Sequence, residues 1–220
     1  MTMPADTTYA DLLSEKDLHR LDEGLKSYLG AGLDRWGQVK PAWLAMIAIP
    51  QKMYMECVPD FNLSGHVSMD QYVQDHALSF GKKIVPLETM EDQFAAILHA
   101  EPLARQAKTL LCTVNEMMQA KMNNEVFGAE QVRKLTESYS NGDLYGLYAL
   151  GFDNPDSSCP MSEASAGSIN RNRNNNWMEK LPGMFADGPT FVAVGALHLC
   201  GEEGLLCQLD GLGYQIDAVK

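Results

Sequence analysis

The sequence predicts a helix-rich α/β domain, in which a small, mostly parallel sheet with a C-terminal βαβ unit is packed by many amphipathic helices. Three observations carry that expectation. Residues 190–194 form an apolar, β-branched run that delivers Gly195 and then His198 to its own end. Residues 214–219 suit a last strand, and the intervening 202–209 suits a short helix, so a right-handed crossover would set the two strands parallel. Upstream, most apolar residues recur at helical spacing.

Taken in order, Ser14 with Asp17 three positions on is an N-cap signal, and Leu18, Leu21, Leu25, Tyr28 and Leu29 line one helical face that Gly30 and Gly32 close. Pro41 suits a first helical turn, since its missing N–H would be unpaired there anyway, and the apolar run continues to Ile49. Pro50 should bend or end that helix. Residues 56–65 lack any period and predict a loop, with His66 beside it as an exposed polar residue. Ser68 and Gln71 form a capping box for a helix with Met69, Tyr72, Val73, His76, Ala77 and Phe80 on one stripe, which predicts a core-facing His76 held by hydrogen bonds.

Residues 83–87 suit a short strand, with Pro86 marking an edge or an end. Thr89 then caps a helix with Asp92 at its third position, and Glu88 stands at the strand's carboxyl end as His198 does at its own. Glu88 is equally explained as a carboxylate favoured by the positive end of the helix that follows. A helical pattern from Gln93 to Met122 breaks at Glu101-Pro102, and its methionines serve first as core filler. Another helical pattern, 129–150, is interrupted at Asn141-Gly142-Asp143, and 152–160 is a loop. Residues 168–177 hold five asparagines and two arginines, poor material for local helix stability. That bias suits a polar surface face, or a cleft into which Arg173 points a rigid fork of donors toward a carboxylate or oxyanion.

Composition bounds the rest. A length of 220 residues suffices for one domain spanning 1–220. With 17 basic against 29 acidic residues, the charge of −12 repels phosphate backbones and argues against a nucleic-acid partner. Five cysteines without a CxxC spacing suit reduced thiols. No basic and apolar leader precedes the first helix and no segment is long enough to span a bilayer, so the chain as written is expected to be soluble and cytoplasmic, and exported if its true N-terminus lies upstream.

The stretch Gly195-Ala196-Leu197-His198-Leu199-Cys200-Gly201-Glu202-Glu203-Gly204 resembles the C-terminal signature of the TraB/GumN family, whose animal relatives include the Tiki proteases. Arg173-Asn174-Asn175-Asn176-Trp177 resembles the family's RNxxW segment, Leu87-Glu88-Thr89 with Gln93 its LET and glutamine segment, and Lys40-Pro41-Ala42-Trp43 its lysine-proline-tryptophan helix. The resemblance implies metal-dependent hydrolysis of a peptide or protein substrate, with manganese or cobalt as the divalent metal. His198 ends the second of the family's two GxxH motifs and would ligate that metal. Arg173 and Glu88 would be the candidate catalytic or positioning groups, and Asn174, Gly195 and Gly201 the substrate-binding ones. The first GxxH motif has no counterpart here, so by this resemblance the chain reads as N-terminally truncated. A metal hydrolase generally needs about three protein ligands, and the alternative is a non-catalytic peptide-binding or regulatory protein on the same scaffold, as in conjugative-plasmid or pheromone control. A homo-oligomer, or a partner that completes the small sheet, is also implied.

Overall fold

The computed structural model describes residues 1–58, 65, 67–153 and 157–219. Helix makes up 64% of the chain. Among the described residues there is no strand, and a single isolated bridge joins Thr2 to Val39. The predicted α/β class, with its parallel sheet and βαβ unit, is therefore corrected to a helical fold. Residues 83–87, 190–194 and 214–219 belong to no helix, and no ladder joins them among the described residues. The reason is physical: an alternating apolar pattern demands only one covered face, whereas a sheet demands paired main chains. Here helices supply the cover, with Leu87, Val192 and Val194 packed on Trp177, Leu181 and Leu205.

The first core is built early in the chain. Helix α1 (Tyr9–Leu12) leads into α2 (Glu15–Leu29), where the Ser14 hydroxyl accepts from the Asp17 N–H at 3.2 Å and Gly30 ends the helix in the left-handed region at φ 77°. After the single turn α3 (Leu33–Trp36), α4 (Pro41–Trp43) runs through a π-turn, Leu44–Ala48, into α5 (Ile49–Cys57). Pro50 thus does not end the helix, one of the two outcomes its residue type predicts. The Ile49 N–H reaches back five residues to the Leu44 carbonyl, and that one-residue shift precedes the position where a proline ring would otherwise meet an α-helical carbonyl.

Helix α6 (Met69–Ser79) forms where its capping signal places it, with Ser68 accepting from the Gln71 N–H. Its stripe is not core, because no residue of α6 is buried. The expectation of a core His76 is corrected: its ring is exposed, between Tyr72 and Phe80. The loop predicted at 56–65 lies largely outside the described residues, and His66 lies outside them too.

Helix α7 (Met90–Leu98) begins with the reciprocal Thr89–Asp92 cap. Pro102 then separates it from the long α8 (Leu103–Met122). Leu21 and Leu25 of α2, Leu44, Ile49, and Leu110, Val114 and Met117 of α8 form the first core. A Cβ added to Gly24 would strike Val114, so glycine allows the close approach of α2 and α8. Gln106, buried, ties α8 to its neighbours by accepting from the Ala42 N–H and donating to the Leu98 and Glu101 carbonyls.

Helices α9 (Ala129–Ser140) and α10 (Leu144–Phe152) meet at the expected turn, with Asp143 capping the Gly146 N–H. Cys112 of α8 is disulfide-bonded to Cys159, which corrects the reading of all five cysteines as thiols; the fold joins positions 47 residues apart that no local spacing relates. Helix α11 (Glu163–Ala166) passes through a second π-turn, Gly167–Arg171, into α12 (Asn172–Met178), followed by α13 (Leu181–Asp187). A 3-10 turn, Ala196–His198, precedes α14 (Leu205–Gly211), which starts later than the helix expected at 202–209. Trp177, Leu181 and Leu205 make the second, smaller apolar cluster.

Candidate functional site

Asn170, Arg173, Asn174 and Trp177 fall at i, i+3, i+4 and i+7 on the π-turn and α12, so one helix face presents all four. That face meets both the 3-10 turn carrying His198 and Glu88, the residue before the Thr89 cap of α7. Arg173 grips Glu88 with both sides of its fork, Nε to Oε2 at 3.0 Å and Nη2 to Oε1 at 2.6 Å. Its Nη1 donates to the Ile169 carbonyl at 2.9 Å and lies 3.2 Å from His198 Nε2. Of the five guanidinium N–H groups, only one on Nη2 is left uncommitted among the described residues. Trp177 donates its indole N–H to Glu88 Oε2 at 3.2 Å, and its ring lies against both His198 and the guanidinium.

The tautomer of His198 follows from its neighbours. Asn174 turns its amide nitrogen toward the Asn170 side-chain oxygen and the carbonyls of His198 and Glu203, so its Oδ1 is the atom facing His198 Nδ1 at 2.7 Å. Nδ1 therefore carries the proton and Nε2 the lone pair, toward which Arg173 points an N–H. Burial, reinforced by the Arg173 charge and partly offset by Glu88, pushes the His198 pKa down to about 4. The imidazole is neutral throughout the ordinary pH range. For Glu88, burial alone would raise the pKa, but hydrogen bonds from Arg173, Gln93 and Trp177 outweigh it and hold the carboxyl below the usual range. The cluster is thus a neutral imidazole beside a closed ion pair.

Four of the six residues singled out in the sequence, Glu88, Arg173, Asn174 and His198, meet here. Gly195 is adjacent, its carbonyl accepting from the His198 N–H at 2.9 Å. Gly201 lies elsewhere in the turn, at φ 88° and against the Tyr148 ring, where a side chain would be both strained and crowded. Asn170 and Trp177 belong to the site although the sequence reading gave them no role. Their signal was present in the spacing 170, 173, 174, 177, but asparagine density by itself does not distinguish a surface face from a buried network.

The donor set bears on the metal that the resemblance implies. Among the described residues, no group of three His, Cys, Asp or Glu side chains is placed to hold an ion. Beside His198, the nearest charged group is the Arg173 cation, and both Glu88 oxygens are already engaged. This arrangement does not fit a divalent cation.

Fold and site together define a helical protein with a partly buried Arg–Glu–His–Asn network between α12, the 3-10 turn and the segment before α7. The chain matches the model of the TraB/PrgY/gumN family over residues 1–218, and it belongs to that family. No curated protein and no solved structure matches it. No helix among the described residues is long and apolar enough to cross a membrane.

Proposed function

We propose that this member of the family is a peptide-binding, regulatory protein whose ligand contacts the rim of the Arg173–Glu88–His198 network. The observation that carries this reading is the position of the guanidinium. It fills the space before the only imidazole lone pair in the cluster and keeps one N–H uncommitted at a partly exposed edge. That N–H suits a peptide carbonyl or carboxylate. Conjugation or pheromone control, the settings implied by the family resemblance, would call for such sequestration.

Metal-dependent peptide hydrolysis is the second reading. The hydrogen bond from His198 Nδ1 to Asn174 supports it, because a ligating imidazole needs an outer partner to fix its tautomer. It requires ligands beyond the described residues and a displaced Arg173. To separate the two, the chain is incubated with a random-sequence octapeptide pool and, in parallel, with manganese or cobalt. Peptide retained by the wild type and lost on Arg173→Leu, without stoichiometric metal, supports the binding reading. Stoichiometric metal that disappears in His198→Ala overturns it in favour of the hydrolase.

A further inference from the structure

The disulfide joins α8 to the start of the helical run that carries the network. Cys112 lies midway along α8, and Cys159 stands just before Ser162, whose hydroxyl caps α11. Beside the bond, the Ser158 hydroxyl meets the Glu116 carboxylate one turn further along α8. From Glu163 to Met178 the chain then runs without a break through α11, the π-turn and α12, presenting Asn170, Arg173, Asn174 and Trp177.

The stretch between disulfide and network has little of its own to hold it. Helix α11 has four residues and buries none of them, and a single helical turn is not stable alone. The π-turn that follows is a geometry helices rarely adopt. Arg171 reaches Glu163 at 2.7 Å and Glu203 at 3.2 Å, but exposed ion pairs contribute little. The segment is therefore fixed from its two ends, by Cys159 and by Asn170. The Asn170 side chain donates to the Leu197 carbonyl and accepts from Asn174, which in turn sets the His198 tautomer. The bond is also open to attack. Both cysteines are half-buried, and Cys112 and Ser158 line an open groove of about 480 Å³. An attacking thiolate needs such access, and exposed disulfides are the labile ones.

We infer that Cys112–Cys159 is a redox-sensitive clip, whose reduction frees residues 157–166 from α8 and loosens Asn170, and through it the Asn174–His198 bond. A small dithiol supplies the electrons: its thiolate attacks one cysteine sulfur, the S–S bond breaks, and its second thiol closes on the mixed disulfide. The dithiol leaves as its own disulfide, and its two protons end on Cys112 and Cys159. The ordered network thus belongs to the oxidised chain, the form that persists where disulfides form. The clip acts on the scaffold, so it is independent of what the network binds.

Alkylation of the unfolded chain, read by mass, tests the bond itself: three labelled cysteines are expected without reductant and five after it. The folded chain is then treated with dithiothreitol. The two thiols should appear at a rate proportional to dithiol and unchanged by low urea, since no unfolding is needed to reach them. Amide exchange at 163–171 should quicken about tenfold or more. The ring-nitrogen NMR signals of His198 should move from a single tautomer toward a mixture, while the signals of α2 stay in place. Reoxidation should restore both, and Cys112→Ser with Cys159→Ser should reproduce the reduced state without dithiol. If that variant does not fold, the reversible wild-type arm decides. Five labelled cysteines without reductant overturn the inference. So does a reduction rate that climbs with urea, or loss of the α2 signals together with those of His198, since either makes the bond a staple of the whole fold. Thiol release that leaves the His198 signals unmoved also overturns it.

Discussion

The two cores of this molecule are held by different physics. In the first, Leu21, Leu25, Leu44, Ile49, Leu110 and Val114 are almost wholly buried and contribute shape and apolar area alone. In the second, three buried apolar side chains adjoin a polar network in which Asn174 is fully buried and Asn170 and His198 nearly so. Apolar packing is tolerant, since side chains of like volume exchange at small cost. A buried network is not, because each donor depends on one particular acceptor. The difference teaches where residue identity is constrained by chemistry rather than by volume, and that is the region joining Glu88, Arg173 and His198.

Paired substitutions would break the contrast most directly. Leu110→Ala should cost about 3–5 kcal/mol through the cavity it leaves, whereas Leu110→Met should cost less than about 1.5 kcal/mol. Asn174→Leu, which nearly preserves volume, should nonetheless cost about 3 kcal/mol, because it strips partners from His198 Nδ1 and from the amide's acceptors. Urea unfolding of the three variants checks this. An Asn174→Leu cost as small as that of Leu110→Met would remove the distinction.

A pH series sharpens the same comparison with a somewhat smaller effect. The folded pKa of His198 is depressed, so as pH falls below about 6.5 the unfolded chain takes up the proton first. Its contribution is complete above that pH and is lost progressively toward about 4. Between pH 7 and 5 the loss should approach about 2 kcal/mol, a window that lies above the titration of Glu88, itself lowered. Denaturation midpoints of wild type and His198→Gln at both pH values measure it, and an equal drop in the two proteins would refute the assignment.

Within the apolar core, Gly24→Ala gives the smallest expected change. Alanine would gain about 1 kcal/mol of helix propensity but would collide with Val114. A net loss of about 1–2 kcal/mol in thermal or urea unfolding is expected. Gly24→Ala with Val114→Ala should recover the propensity gain, and a stabilised single variant would show that the two helices are free to part.

Much of the chain was legible before folding. The Ser14, Ser68 and Thr89 caps, the Pro102 break and the turn at Gly142 stand where local chemistry places them, since each is decided within a few residues of backbone. Glu88, Arg173, Asn174 and His198 were likewise visible as candidate site residues, through their motifs. What they do to one another was not. The bidentate grip of Arg173 on Glu88, the tautomer of His198 and the membership of Trp177 and Asn170 depend on segments up to 89 residues apart.

The same division explains the corrections. The alternating pattern of 190–194 marks a segment with one covered face, but pairing is a relation between two segments and cannot be read from either one. The stripe on α6 gives a helix without saying what lies opposite it, and the scattered cysteines say nothing of which two will meet. The sequence by itself determined where several helices are capped and which side chains are candidates for a site, because a cap follows from bonds made a turn or less away. Only the tertiary structure decided that no ladder joins 83–87, 190–194 and 214–219 among the described residues, that Cys112 meets Cys159, and that Arg173 faces His198.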